Sequence, residues 1–240
     1  MYSGKEAVNQ LQPSECQKDE EEKKDVTPLA TSMHSMANLQ IKEFSVSYKG
    51  YYPGSKHINQ ATLLIRMGLQ QGIAPKLTPE GTSGSYILFG NNHLPVAIFK
   101  PSDEEAYAPN NPHNLTGQLG SKSLRKGILS GEAFIREAAS YLLSKSYKFS
   151  FNIPPTTIAK FVCSEPSSWK SSYKAPLNGQ QNCAQIWKIG SLQIFVGHDD
   201  CACNYSSDLF GTDEVHKIGI LDMRICNTDR NDGNILLKKS

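Results

Sequence analysis

At 240 residues, 38% hydrophobic and 20% charged, the chain has the composition of a globular protein able to bury a sizeable core in one large or two small domains. A formal net charge of +2 without a dense Lys/Arg block gives no footing for nucleic acid, and no apolar run nears the roughly 20 residues that span a bilayer. Six cysteines without a CxxC pair, and an N-terminus without an apolar signal core, predict reduced thiols and a cytosolic setting.

Residues 1–45 read as a disordered leader, because the stretch from Cys16 to Asp25 is mixed charge without apolar anchors. A helix is expected from His57 to Ile73: Ile58, Leu63, Leu64, Ile65, Met67 and Leu69 recur at helical spacing, and Gly72 with Pro75 supplies the stop. The Gly81-Thr82-Ser83-Gly84-Ser85 turn then opens a hairpin of strands 85–89 and 95–100, broken at Gly90 to His93. Small residues let backbone N–H groups and hydroxyls come close to phosphates. The second strand ends on Lys100, and kinase-like folds carry a phosphate-binding lysine one strand after the glycine loop.

A charged loop with Glu104, Glu105, Ala106 and Tyr107 follows, then a mildly basic Gly/Asn/Ser-rich stretch with Lys122, Arg125 and Lys126. The best helix in the chain runs from Glu132 to Lys145. Phe134, Ala138, Tyr141 and Leu142 form one face of it, and Glu132 and Arg136 make an i,i+4 pair on another. Strands are expected at 157–162 and 191–196, the second ending in Gln193, Ile194, Phe195 and Val196, with a Ser/Asn/Pro-rich insertion from Cys163 to Gln185 between them. Cys201, Cys203 and His198 lack the fourth ligand that zinc needs.

From Thr212 an acid-capped helix is expected to bury Val215, Ile218, Leu221, Met223 and Ile225 and to deliver a polar turn from Asn227 to Asn234. Asp229 and Asn234 stand five residues apart on that turn. Phosphotransfer needs such a pair: a carboxylate to orient or deprotonate an attacking hydroxyl, and an amide oxygen to hold a metal on the phosphates. A capped helix end rich in turn formers has the same residues.

Three segments settle the choice. The run Asn227-Thr-Asp229-Arg230-x-x-x-Asn234-x-Leu236 after Ile220-Leu-Asp222-x-Arg224 resembles the catalytic loop of the phosphatidylinositol 3- and 4-kinases, with Asn231 in the usual His place. Lys100-Pro-Ser-Asp-Glu104-Glu105 through Ala108-Pro-Asn-Asn-Pro112 is similar to the plant-type gamma branch of the type II phosphatidylinositol 4-kinases, Ala106 replacing a proline. Gly190-Ser-Leu-Gln193 resembles their hinge strand.

The resemblance implies an α+β, protein-kinase-like fold over residues 50–238, with a small lobe of antiparallel sheet plus helix and an incomplete large lobe. It implies ATP and Mg²⁺ as cofactors, and transfer of the γ-phosphoryl group to the 4-hydroxyl of phosphatidylinositol at a membrane surface. In it Asp229 is the catalytic carboxylate, Arg230 holds the loop, and Asn234 ligates the metal. Lys100, paired with Glu137, and the 81–85 loop take the nucleotide's phosphates. Residues 193–196 border the adenine, and Glu105, Ala106 and Tyr107 meet the substrate. A second metal-binding aspartate is expected beyond Ser240, so little turnover is expected of these 240 residues alone. A protein Ser/Thr acceptor and a non-catalytic nucleotide-binding scaffold remain the alternatives.

Overall fold

The computed structural model describes residue 36 and residues 40–47, 52–124, 126–145, 151–164, 185–227 and 229–238. Most of the leader and of the 163–185 insertion therefore lies outside the described residues.

Six strands form one antiparallel sheet: β1 (Gln40–Ser47), β2 (Lys76–Leu77), β3 (Tyr86–Phe89), β4 (Pro95–Pro101), β5 (Thr156–Ser164) and β6 (Gln185–Ile194), in the order β1-β5-β6-β4-β3-β2. The expected hairpin is β3–β4, with Tyr86 opposite Phe99. β4 then pairs with β6, which sets Lys100 directly opposite Ser191. β1 begins inside the stretch assigned to the leader. Its alternation is interrupted by a register shift between Ile41 and Glu43, which hides the period-two pattern from a sequence reading.

Helix α1 (Ser55–Gln70) lies against the sheet, and its end matches the expected stop: Gly72 has φ 79°, and the Ile73 N–H returns to the Gly68 carbonyl at 3.0 Å. Its buried face differs from the expected one. Ile58, Ala61, Thr62, Ile65 and Gly68 face inward, while Leu63 is 59% exposed. The i, i+3, i+4, i+7 series from Ile58 runs through small residues, and a Cβ at Gly68 would strike the Phe89 carbonyl, so close approach to β3 selects small side chains over large ones. Arg66 of this helix donates from Nε and Nη2 to the Phe44 carbonyl on β1, at 3.1 and 3.0 Å.

Met36, Phe44, Ile65, Tyr86, Leu88, Phe99, Phe161 and Leu192 pack the core, with the Phe161 ring stacked on Phe44 and tilted against Phe99, each at 4.5 Å. Helix α2 (Ala133–Ser144) packs on β5 and β6 through Ala138 and Tyr141. Helix α3 (Thr212–Ile225) precedes the polar turn and a two-stranded ribbon of β7 (Asp200–Cys201) with β8 (Leu236–Leu237). Only Leu221 of the five residues expected inside α3 is buried; Val215 and Met223 are exposed, because the described residues place nothing over that side. Cys201 and Cys203 are disulfide-bonded rather than reduced, their Cα atoms 5.4 Å apart, a span a disulfide bridges.

Candidate active site

Lys100 leaves β4 and meets Glu137 of α2, its Nζ 2.5 Å from Oε1. The other carboxylate oxygen of Glu137 accepts the Ser191 hydroxyl at 2.5 Å. The register dictates this triangle, since Lys100 and Ser191 are cross-strand partners pointing to the face that α2 covers. Gly190 makes the close pairing possible: a side chain there would run into the Lys100 carbonyl. The ion pair is about one-third exposed, so it fixes direction more than it adds stability.

The Gly/Ser turn is braced by the acidic turn after β4. Gly84 N–H donates to the Glu104 carbonyl at 2.9 Å, the Ser83 hydroxyl accepts Ala106 N–H at 3.2 Å, and the Asn111 amide reaches the Thr82 carbonyl at 2.8 Å. The Gly84 N–H and the Ser83 hydroxyl are thus committed to the protein. Gly81 and Thr82 are exposed and Ser85 is half-buried, with Gly81 in the left-handed region at φ 97°.

The resemblance puts Glu105 at the substrate, and the structure shows what holds it. Glu105 is 6% exposed, and its two carboxylate oxygens accept N–H groups from Gly131, Ala133 and Phe134 at 2.8 to 3.1 Å. A carboxylate surrounded by the unpaired N–H groups of a helix start is held there by its charge and cannot turn outward without stranding them. Ala106 is buried beside it, and Tyr107 is half-exposed in a left-handed conformation at φ 62°. Burial pushes the Glu105 carboxyl above the usual carboxylate range, and the three N–H groups pull it back.

Sequence reasoning missed the group beside it. Lys188 of β6 is fully buried and meets Asp103 at 2.6 Å and Glu104 at 2.8 Å; Glu104 also accepts the Tyr86 hydroxyl at 2.6 Å and the Met36 N–H at 2.7 Å. The signal lay in register, not in motif: Lys188 stands opposite Phe161, on the core face of the sheet.

The strand read as a hinge is present, but its donors are partly used. Ile194 N–H donates to the Pro155 carbonyl and Phe195 N–H to the Val96 carbonyl, both at 2.9 Å. The Gln193 amide approaches the Thr156 hydroxyl at 3.4 Å, and the carbonyl of the exposed Val196 pairs with the His198 ring at 2.9 Å.

The polar turn after α3 is a closed network. Cys226 ends the helix at φ 50°, and Arg230 grips Asp222 through Nε and Nη2 at 2.8 Å each. That bidentate grip, with help from Asn227, holds the Asp222 carboxyl below its ordinary range. The main chain of Asp229 is pinned three ways: its N–H donates to Asn227 Oδ1 at 3.0 Å, and its carbonyl accepts the amides of Asn231 at 3.2 Å and Asn234 at 2.9 Å. Asn231, in the usual His place, also accepts the Asn234 N–H at 3.2 Å and so ties both ends of the turn together. Asp222 and Asn227 are the members that sequence reasoning left without a role.

An antiparallel sheet whose strand lysine is met by a glutamate from a neighbouring helix, followed by a helix that ends in an Asp/Asn turn, is compatible with a kinase-like α+β protein. The family model "Phosphatidylinositol 3- and 4-kinase" matches residues 89–240, and the chain belongs to that family. It is 35% identical over 215 residues to phosphatidylinositol 4-kinase gamma 5 of Arabidopsis thaliana, covering 89% of this chain and 33% of the relative. Gamma 7 of the same plant is 38% identical over 176 residues, 73% of this chain and 26% of its own length. Gamma 8 is 36% identical over 228 residues, 89% of this chain and 40% of its own. The chain thus spans about a third of the length of these curated relatives.

Proposed function

We propose that the chain is the nucleotide-binding part of a phosphatidylinositol 4-kinase, with residues 50–238, joined by the earlier strand β1, belonging to a bilobal catalytic domain whose small lobe is the six-stranded sheet and α2. The observation that carries this reading is the Lys100–Glu137 pair at 2.5 Å, which supports a lysine held ready for phosphate oxygens. The exposed rim of the Gly/Ser turn and the strand end at 193–196 supply the rest of the nucleotide site.

Asp229 acts on the inositol 4-hydroxyl, orienting it or taking its proton as the phosphoryl group moves. Catalysis by such a site is positioning and electrostatics, so the pinned main chain of Asp229 matters as much as its carboxylate. The donors fit magnesium in kind: Asn234 commits its amide nitrogen to the Asp229 carbonyl, which leaves its oxygen, a hard ligand, for a cation next to Asp229. Bound there, Mg²⁺ supplies positive charge to the phosphate oxygens. Among the described residues no group of three His, Cys, Asp or Glu side chains converges; Asn234 beside Asp229 would hold the cation. Arg230 keeps the turn folded through Asp222.

No helix among the described residues is long and apolar enough to cross a membrane. The curated relatives are named for a lipid acceptor, which favours phosphatidylinositol over a protein hydroxyl.

The test is labelled-phosphate transfer from ATP to phosphatidylinositol vesicles by the full-length protein, with Asp229→Ala as control and nucleotide affinity measured beside it. The expected product is the 4-phosphate, lost in Asp229→Ala, with nucleotide binding lost in Lys100→Met. Transfer that survives Asp229→Ala, or nucleotide affinity unchanged in Lys100→Met, overturns the reading.

A further inference from the structure

Helix α2 starts without a cap of its own: Glu132, at the N-cap position, makes no side-chain bond to the helix N–H groups and instead accepts the Leu129 N–H at 3.2 Å and the Arg136 guanidinium at 3.3 Å. The missing acceptor comes from far along the chain. Glu105 reaches Ala133 N–H and Phe134 N–H with one oxygen each, at 3.1 and 3.0 Å, and Gly131 N–H at 2.8 Å. Phe134 lies one turn before Glu137, the residue that meets Lys100. Glu105 in turn follows Lys100 by five residues. The path closes on itself: strand lysine, short turn, cap, first helical turn, glutamate, and back to the lysine.

The turn that carries Glu105 is stiff on its other side. Asn111 donates to the carbonyls of Glu104 and Glu105 at 3.1 and 3.0 Å, and Glu104 is fully buried against Lys188. A cap mounted on a stiff turn sets the height of the helix it holds, and a glutamate one turn up inherits that height.

We infer that Glu105 is a positioning residue for the nucleotide site, fixing through α2 the place at which Glu137 meets Lys100, and is not a contact to the lipid. The inference rests on the proposed phosphotransfer reading, in which the Lys100–Glu137 pair serves the nucleotide.

The experiment is a double-mutant cycle of Glu105→Gln and Glu137→Gln, with ATP affinity and binding to phosphatidylcholine vesicles doped with phosphatidylinositol as the two readouts. Gln keeps the size of Glu105 but loses its charge and turns an N–H₂ group toward backbone donors. Glu105→Gln is expected to weaken ATP binding about fivefold to tenfold, the size of a lost charged cap. Vesicle binding should not change. The double variant should bind ATP no more weakly than Glu137→Gln alone, and Glu105→Asp, with a carboxylate on a shorter stem, should fall between wild type and Gln. Weaker vesicle binding with ATP affinity intact would assign Glu105 to the lipid and overturn the inference, as would additive losses of ATP affinity in the cycle. If Lys100→Met leaves ATP affinity unchanged, the proposed function is what fails. The same cycle read on urea midpoints still decides the point, because additive losses there mean that Glu105 does not act through Glu137.

Discussion

Lys188 and Glu104 meet 2.8 Å apart with neither side chain reaching solvent. A charge in that position is tolerated only while its partner is there, so removing one member should be worse than removing both. Lys188→Met is expected to lower unfolding free energy by about 3–5 kcal/mol, with Asp103 and Glu104 left unpaired in the interior. Adding Glu104→Gln should recover part of that loss. Urea denaturation of the two variants checks it, and a double variant less stable than Lys188→Met counts against a paired interior charge.

Two glycines should respond in opposite directions. Gly190→Ala drives a methyl group into the main chain at Lys100 and Pro101, where nothing flexible can yield, and should destabilise by about 1–3 kcal/mol. Gly219, inside α3, has open space around its Cβ position, so Gly219→Ala should stabilise by about 0.5–1 kcal/mol through helix propensity. Both are read from urea midpoints, and equal shifts of one sign would remove the close-approach account of Gly190.

Arg230→Lys tests whether the turn depends on the planar fork rather than on charge. A lysine cannot reproduce the two parallel 2.8 Å bonds to Asp222. The grip is partly exposed, so the stability loss should be small, about 1 kcal/mol, while phosphate transfer should fall at least tenfold as Asp229 loses its fixed place. Wild-type turnover in Arg230→Lys would show that the fork is dispensable.

The carboxylates predict a two-sided pH profile. Burial raises Glu104 and Glu105, so their contribution to stability is complete below the ordinary glutamate value and is lost as pH rises through the raised values. Asp222 is lowered by Arg230, so its contribution is present above the ordinary aspartate value and is lost as pH falls through the lowered one. The urea midpoint should therefore sag on both flanks. Glu105→Gln should flatten the upper flank and Asp222→Asn the lower; flanks indifferent to these substitutions would assign the slopes to other groups.

Where the sequence spoke clearly, it spoke through local pattern. The β3–β4 hairpin, the stop of α1 at Gly72 and the turn around Asp229 are each written in neighbouring residues, and the structure places them where they were expected. The Lys100–Glu137 contact came from family resemblance rather than spacing, and its geometry is present. What the sequence does not show shares a cause. The interior placement of Glu105 and Lys188 depends on partners 26 to 85 residues away, at α2 and in the acidic turn. The apolar residues of α1 and α3 misled in reverse, since the small residues of α1 win the close approach to the sheet and α3 has little packed on it among the described residues.

Arg66 has a consequence beyond packing. The last strand of a sheet offers its outward carbonyls to any extended chain that drifts past, and such rows seed clumping at high concentration. By lending two N–H groups to Phe44, the arginine occupies one of those invitations with a side chain that no passing strand can displace cheaply. Among the described residues this carbonyl of β1 is therefore covered from a helix, and a screen for aggregation-prone segments confined to the strand's own letters would not register the cover.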